Sequence, residues 1–198
     1  MRPEYRVDDF QQVGNSLVIR LKDTLIVEDI EDKTLARCNV GHLCSDFLDL
    51  NVHVNENKET VIAFHDKKHL CVLYVKGEDD CRLFHHDISA MDSPKIIGFL
   101  KDGEWIVMMS DSVQQENGRE ERYNNVTAYE ISTMKNKGGM RHRATSRSAF
   151  QPVVSSASGY DILISSSSNF ISVCDFSQDK MKFENIQLFN QWGRWGTY

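Results

Sequence analysis

Histidines, cysteines and one basic segment are the side chains of this 198-residue chain whose types and spacing could support chemistry. His65-Asp66-Lys67-Lys68-His69 sets two imidazoles close enough for a shared metal ion if the segment folds back on itself. It stands between two apolar runs, however, and reads more simply as a charged hairpin loop. His85-His86-Asp87 falls on a polar strand candidate, where neighbouring residues point to opposite faces, so the two rings do not readily share one ion. Cys38, His42 and Cys44 are near one another. A structural zinc site needs a fourth ligand and a recognisable paired spacing, and neither is visible.

Nucleophilic and phosphate chemistry find no better footing. There is no Gly-x-Ser-x-Gly elbow, and Ser165 to Ser168 follows an apolar run as a turn-like polar stretch. Gly138-Gly139 lacks the Gly-Lys-Ser/Thr continuation of a phosphate-binding loop and is followed by no helix. Glu120 and Glu121 lie in a hydrophilic stretch, where charge ordinarily means solvation. No catalytic, cofactor-binding or metal-ligating residue is predicted, and the chain is not expected to be an enzyme.

Two segments suit binding. Lys135, Lys137, Arg141, His142, Arg143 and Arg147 gather in a glycine-containing stretch, a local excess of positive charge that suits RNA phosphates or an acidic partner surface. The plainer account is a solvated loop and outer strand. The terminal stretch from Phe189 to Tyr198 is rich in aromatics, and Trp192 and Trp195 are candidates for docking a partner or for beginning a further sheet.

Composition bounds these readings. With 40% hydrophobic and 26% charged residues the chain resembles an ordinary globular protein. A net charge of −6 argues against gripping nucleic acid over the whole surface, though not against a local basic patch. No apolar run approaches the roughly 20 residues that span a bilayer, so no membrane partner is expected. Met1-Arg2-Pro3-Glu4-Tyr5-Arg6 lacks a hydrophobic signal region, which points to the nucleus or cytoplasm. Cys38, Cys44, Cys71, Cys81 and Cys174 are odd in number and irregularly spaced, as expected of reduced thiols rather than a disulfide framework.

The elements that carry these residues repeat along the chain. Leu25–Ile30, Leu70–Val75, Val126–Ile131 and Ile171–Phe176 share one pattern: aliphatic, any, small apolar, any, acidic or aromatic, then aliphatic or Phe. Their first positions stand 45, 56 and 45 residues apart. A β-rich run precedes each, starting 8, 9 and 9 residues upstream at Leu17, Val61 and Ile162, but 20 upstream at Ile106. The excess of 11 is the same in both intervals, so one polar insertion near Gln114 to Arg122 accounts for both. Another strand candidate lies upstream of the last three copies (Leu50 to Val54, Ile96 to Phe99, Pro152 to Ser155). A more polar one follows each copy (Thr34 to Val40, Arg82 to His86, Arg141 to Ser146, Lys182 to Leu188). Pro94 to Ile131 organises the set, because its Lys101-Asp102-Gly103 turn between apolar runs is a strong hairpin signal. Four strands per period describe an all-β fold, four-stranded antiparallel sheets repeated around an axis as in a β-propeller. A β-sandwich of short strands is the alternative.

The pattern resembles the WD40-type β-propeller over nearly the whole chain. Where that family ends its third strand in Trp-Asp, this sequence has Glu28-Asp29, Leu73-Tyr74, Tyr129-Glu130 and Cys174-Asp175, and the family's Gly-His pair appears once, as Gly41-His42. The resemblance implies a single propeller domain over 1–198, with blades at about 10–42, 48–90, 94–147 (insertion at 112–124) and 150–190. Four blades are the low end for closure, so an incomplete propeller, a piece of a longer one, is expected rather than an unusually small ring or a pair of chains. The second and third blades, Lys58 to Ile131, look most like the non-catalytic propeller subunit of tRNA guanine-N7 methyltransferase. That implies a WD-repeat scaffold in tRNA processing with a catalytic protein partner and RNA contact through the basic segment, and no cofactor of its own. An enzyme or ligand-binding propeller with its site in the central channel is the alternative.

Overall fold

The computed structural model describes residues 8–31, 35–43, 48–77, 80–143, 151–157, 160–166, 170–177 and 182–187. They form sixteen strands and no α-helix. Sheet 1 holds β1 (Asp9–Val13), β2 (Ser16–Leu21), β3 (Thr24–Asp29) and β4 (Leu35–Asn39). Sheet 2 holds β5 (Asp49–Val54), β6 (Thr60–His65), β7 (His69–Val75) and β8 (Cys81–Asp87). Sheet 3 holds β9 (Asp92–Leu100), β10 (Trp105–Glu116), β11 (Arg119–Glu130) and β12 (Lys135–Arg143). Sheet 4 holds β13 (Gln151–Ala157), β14 (Tyr160–Ser166), β15 (Phe170–Asp175) and β16 (Lys182–Gln187). Each is an antiparallel meander in chain order. The first strands lie side by side, β1 by β5, β5 by β9 and β9 by β13. These are four consecutive blades of a β-propeller, with the first strand of each innermost.

Strand alternation explains how the sheets stack. Ile62 and Phe64 point from β6 toward Val18, Leu25 and Val27 of sheet 1, while Val61 and Ala63 of the same strand point toward Ile106 and Met108 of sheet 3. Sheet 3 turns Val107, Val126 and Ala128 toward Leu163 and Cys174 of sheet 4. Three apolar layers thus separate four sheets, and burial of these side chains is what fixes the stack.

Two features differ from the sequence reading. The stretch at 112–124 is not an irregular loop. β10 and β11 pair without interruption to Glu116↔Arg119, closed by Asn117-Gly118, both with positive φ (52° and 75°) as a two-residue primed turn requires. β9 accompanies β10 only as far as Asp111, so the hairpin tip runs on beyond the sheet with residues 113–120 all exposed. The fourth strand of this blade also begins earlier than Arg141, and Gly138-Gly139 lies inside it. A Cβ on Gly139 would stand 2.1 Å from the Val126 carbonyl oxygen, so no other residue lets β12 approach β11 there.

A candidate partner groove between the second and third blades

The Asp-Gly hairpin predicted between β9 and β10 is a short 3-10 turn, Lys101–Gly103, and it is wedged against sheet 2. Lys101, Asp102 and Gly103 all have positive φ, tight geometry that Asp and Gly tolerate. A Cβ on Gly103 would lie 3.1 Å from both His53 and Val61, and the Tyr74 hydroxyl donates to the Gly103 carbonyl at 2.6 Å. The Asp102 carboxylate accepts the Glu56 N–H at 2.8 and 3.1 Å and lies 3.4 Å from His53 Nε2. At the far side of this junction His86 Nε2 donates to the Ile131 carbonyl at 2.6 Å.

These ties shape a groove of about 600 Å³ beside the turn. Its walls carry four carboxylates, Glu59, Asp102, Glu104 and Glu130. Opposite them Arg82 lies over the Tyr74 ring at 4.4 Å and near the Phe84 ring at 5.6 Å, and the two rings meet edge to face. Asn55, Asn57 and Ser132 complete the lining. Asn55 is itself locked to Glu59 by two hydrogen bonds of 2.7 and 2.8 Å. Burial first, and then the Glu104 and Glu59 carboxylates, push the Tyr74 phenol up to about 12 against the pull of Arg82. At neutral pH it therefore stays a hydroxyl and keeps its bond to Gly103. The groove holds carboxylates in excess over its guanidinium, so it favours cationic groups. No sequence pattern pointed to it, because its residues come from turns and strands of two blades; the Asp-Gly turn was its one local signal.

Of the basic residues singled out in the sequence, Lys135, Lys137, Arg141, His142 and Arg143 lie on β12, and the structure ties most of them to neighbours. Lys137 meets Glu130 at 3.1 Å and lies over Trp105 at 5.1 Å. Arg141 covers the Tyr123 ring at 3.7 Å. Arg143 forms a two-pronged ion pair with Glu121 of the long hairpin. His142 is half-buried, and burial holds its imidazole below the ordinary value, toward the neutral ring. Lys135 is exposed. Arg147, Trp192 and Trp195 lie outside the described residues.

The histidine clusters are dispersed into structural roles. His65 is buried, with Nδ1 2.7 Å from the Asp66 carbonyl and Nε2 3.3 Å from the Asp49 carboxylate. That carboxylate also accepts the Ile96 N–H at 3.2 Å. The hydrogen bond from His65, opposed in part by burial, holds Asp49 below its ordinary value. His85 stacks on His69 at 5.0 Å while His86 turns the other way to Ile131. Cys38 lies 3.7 Å from Cys81, and Cys44 is outside the described residues. Among the described residues no cluster of three potential ligands could hold a metal ion, and no helix is long and apolar enough to cross a membrane.

No protein-family model matches the chain, and no curated protein matches it. Among solved structures, the N-terminal domain of Nup159 superposes with a TM-score of 0.39 at 12% identity, covering 88% of this chain and 51% of that one. An S. cerevisiae complex of a Dbp5 variant bound to Nup159, a Gle1 variant, IP6 and ADP gives 0.39 at 14% identity, with 88% and 50% covered. The chain spans about half the length of these structures. The fold assignment rests on the four sheets themselves.

Proposed function

We propose that this chain is a non-catalytic protein-interaction scaffold, a subunit of a larger complex, and that the groove between its second and third blades receives a basic segment of a partner protein. The groove supports this reading through its size, its carboxylates and its pre-set wall of Arg82 on Tyr74 and Phe84. Arg and aromatic side chains held in place supply contact area at low entropic cost, and carboxylates select Lys or Arg on the incoming segment.

In its finer form the proposal is a WD-repeat propeller subunit of a tRNA guanine-N7 methyltransferase, working in the nucleus or cytoplasm. The methyl donor and the chemistry would belong to the partner, and Lys135, Lys137, Arg141, Arg143 and Arg147 would touch RNA phosphates. The resemblance over Lys58 to Ile131 supports it, and that stretch carries most of the groove.

The test is the native mass and composition of the complex that forms on the tagged chain. A stoichiometric partner, released by Glu59→Lys with Glu104→Lys while the melting temperature holds, is the expected result. A methyltransferase subunit as that partner supports the finer form, and another protein retires it. A lone soluble monomer with no partner overturns the scaffold. RNA binding that is salt-sensitive and falls with Arg141→Ala and Arg143→Ala is expected of the finer form, and binding unchanged by these substitutions removes the RNA contact.

A further inference from the structure

The outer strands of the first two sheets bring together two thiols that stand 43 residues apart in the chain. Cys38 Sγ and Cys81 Sγ are separated by 3.7 Å. Cys38 lies opposite Leu25 on β4, Cys81 opposite Val75 on β8, and Leu25 and Val75 are both buried in the apolar layer between sheets 1 and 2. The sulfurs therefore sit at the outer margin of that layer. Cys81 is exposed and Cys38 is half-buried against it, whereas Cys71 and Cys174 are fully enclosed within apolar layers. Each of β4 and β8 is the outermost strand of its sheet, hydrogen-bonded on one side only. Such strands can shift by the fraction of a strand spacing that separates the present contact from a bonded S–S distance of about 2.05 Å.

We infer that Cys38 and Cys81 form a thiol-oxidation site, which a low-molecular-weight disulfide such as oxidised glutathione converts to an intramolecular disulfide stapling sheet 1 to sheet 2. The exposed Cys81 thiolate attacks one sulfur of the oxidant, giving a mixed disulfide on Cys81 and releasing one glutathione thiolate. Cys38 then gives its proton to solvent and attacks Cys81 Sγ, and the second glutathione leaves. The two protein thiols lose two protons and two electrons, and one oxidised glutathione takes them up to become two reduced ones. Burial pushes the Cys38 thiol up to about 12, and so do the charge and hydrogen bond of Cys81. Capping Cys81 removes the last two causes and leaves burial. The second step is therefore the slow one, and it quickens as pH rises.

The experiment treats the full, unaltered chain with oxidised glutathione at mildly alkaline pH, alkylates the remaining thiols, and maps the peptides by mass spectrometry. The expected result is loss of two hydrogens from the intact protein, a cross-linked peptide pair carrying Cys38 and Cys81, and a melting temperature raised by several degrees and restored by dithiothreitol. Cys38→Ser is expected to stop at a stable glutathione adduct on Cys81. Glutathione retained on Cys81 of the unaltered chain, no oxidation of either residue, or a bridge from Cys44 to one of them would each overturn the inference.

Discussion

β6 and β2 hold the same place in successive blades, yet every residue of β6 is buried, while β2 buries only Ser16 and Val18 and leaves the rest half-exposed. The neighbouring third strands repeat the contrast, β7 buried at all but its first residue and β3 alternating. Coverage is the cause. Sheet 2 is packed on both faces, by sheets 1 and 3, and a strand covered on both faces reads as a near-continuous apolar run, here Val61 to Phe64. Sheet 1 has one face in the core, and its other face keeps Ile19 paired with Ile26 in partial contact with solvent, beside Phe10 at 66% exposed. Sheet 4 mirrors it, with Val153 at 59% exposed, in register with Ile164. Among the described residues, the inner blades are covered on both faces, while the end blades leave Phe10 and Val153 exposed.

Side-chain truncation is the strongest way to break that contrast. Phe64→Ala removes a fully buried ring from β6, and should cost about 3–5 kcal/mol in urea unfolding. Ile19→Ala in β2 deletes a half-buried side chain, and should cost about 1 kcal/mol. Equal losses would mean that the outer face of sheet 1 is covered in solution, and the difference between the two blades would vanish. Next in size is Tyr74→Phe, which deletes the hydroxyl that reaches Gly103 and leaves that carbonyl without its 2.6 Å partner. A loss of about 1–2 kcal/mol is expected. Because the same hydroxyl seats the turn that walls the groove, partner binding should weaken with it. A variant as stable as the unaltered chain would show that this hydroxyl adds nothing to the junction of sheets 2 and 3, leaving the Asp102, His86 and Asp49 hydrogen bonds and apolar contact to hold it.

The blades were legible because apolar side chains recur with a fixed interval and because full burial leaves unbroken apolar runs such as Val61 to Phe64. β1 was not, since Asp9-Phe10-Gln11-Gln12-Val13 has no apolar alternation and lies mostly in solvent. The long hairpin escaped for the same reason. Both faces of its tip are exposed, so its strands carry no period, although Asn117-Gly118 between them was a turn signal in plain view. The groove and the thiol pair are products of blade stacking. Glu59 and Glu130 come to line one groove, and Cys38 and Cys81 come into contact, only once the sheets stack, and single-chain spacing holds no trace of that. The basic residues near Arg141 stand out in the sequence, but their anchoring does not, because Glu121 and Tyr123 become neighbours of β12 only through the long hairpin, which in the sequence is a polar insertion.

Acid sharpens the comparison with a smaller effect. The junction of sheets 2 and 3 is tied by ionisable groups, Asp49 to His65 and the Ile96 N–H, whereas the junction of sheets 1 and 2 is joined by the neutral Ser16–Thr60 hydrogen bond at 2.9 Å. Asp49 is held below its ordinary value of 3.8 in the folded chain, chiefly by the His65 hydrogen bond. A carboxyl depressed by folding stabilises the protein above its unfolded value, and that contribution disappears as pH falls through the folded value. Melting temperature should therefore fall more steeply below pH 3.8 in the unaltered chain than in Asp49→Asn, where no charge remains to titrate. The two curves should be furthest apart near neutral pH and converge in strong acid, once Asp49 is protonated in the unaltered chain as well. Parallel curves would mean that Asp49 carries no pH-linked stability, and the ionisable ties of the inner junction would then reduce to Asp102 and His86.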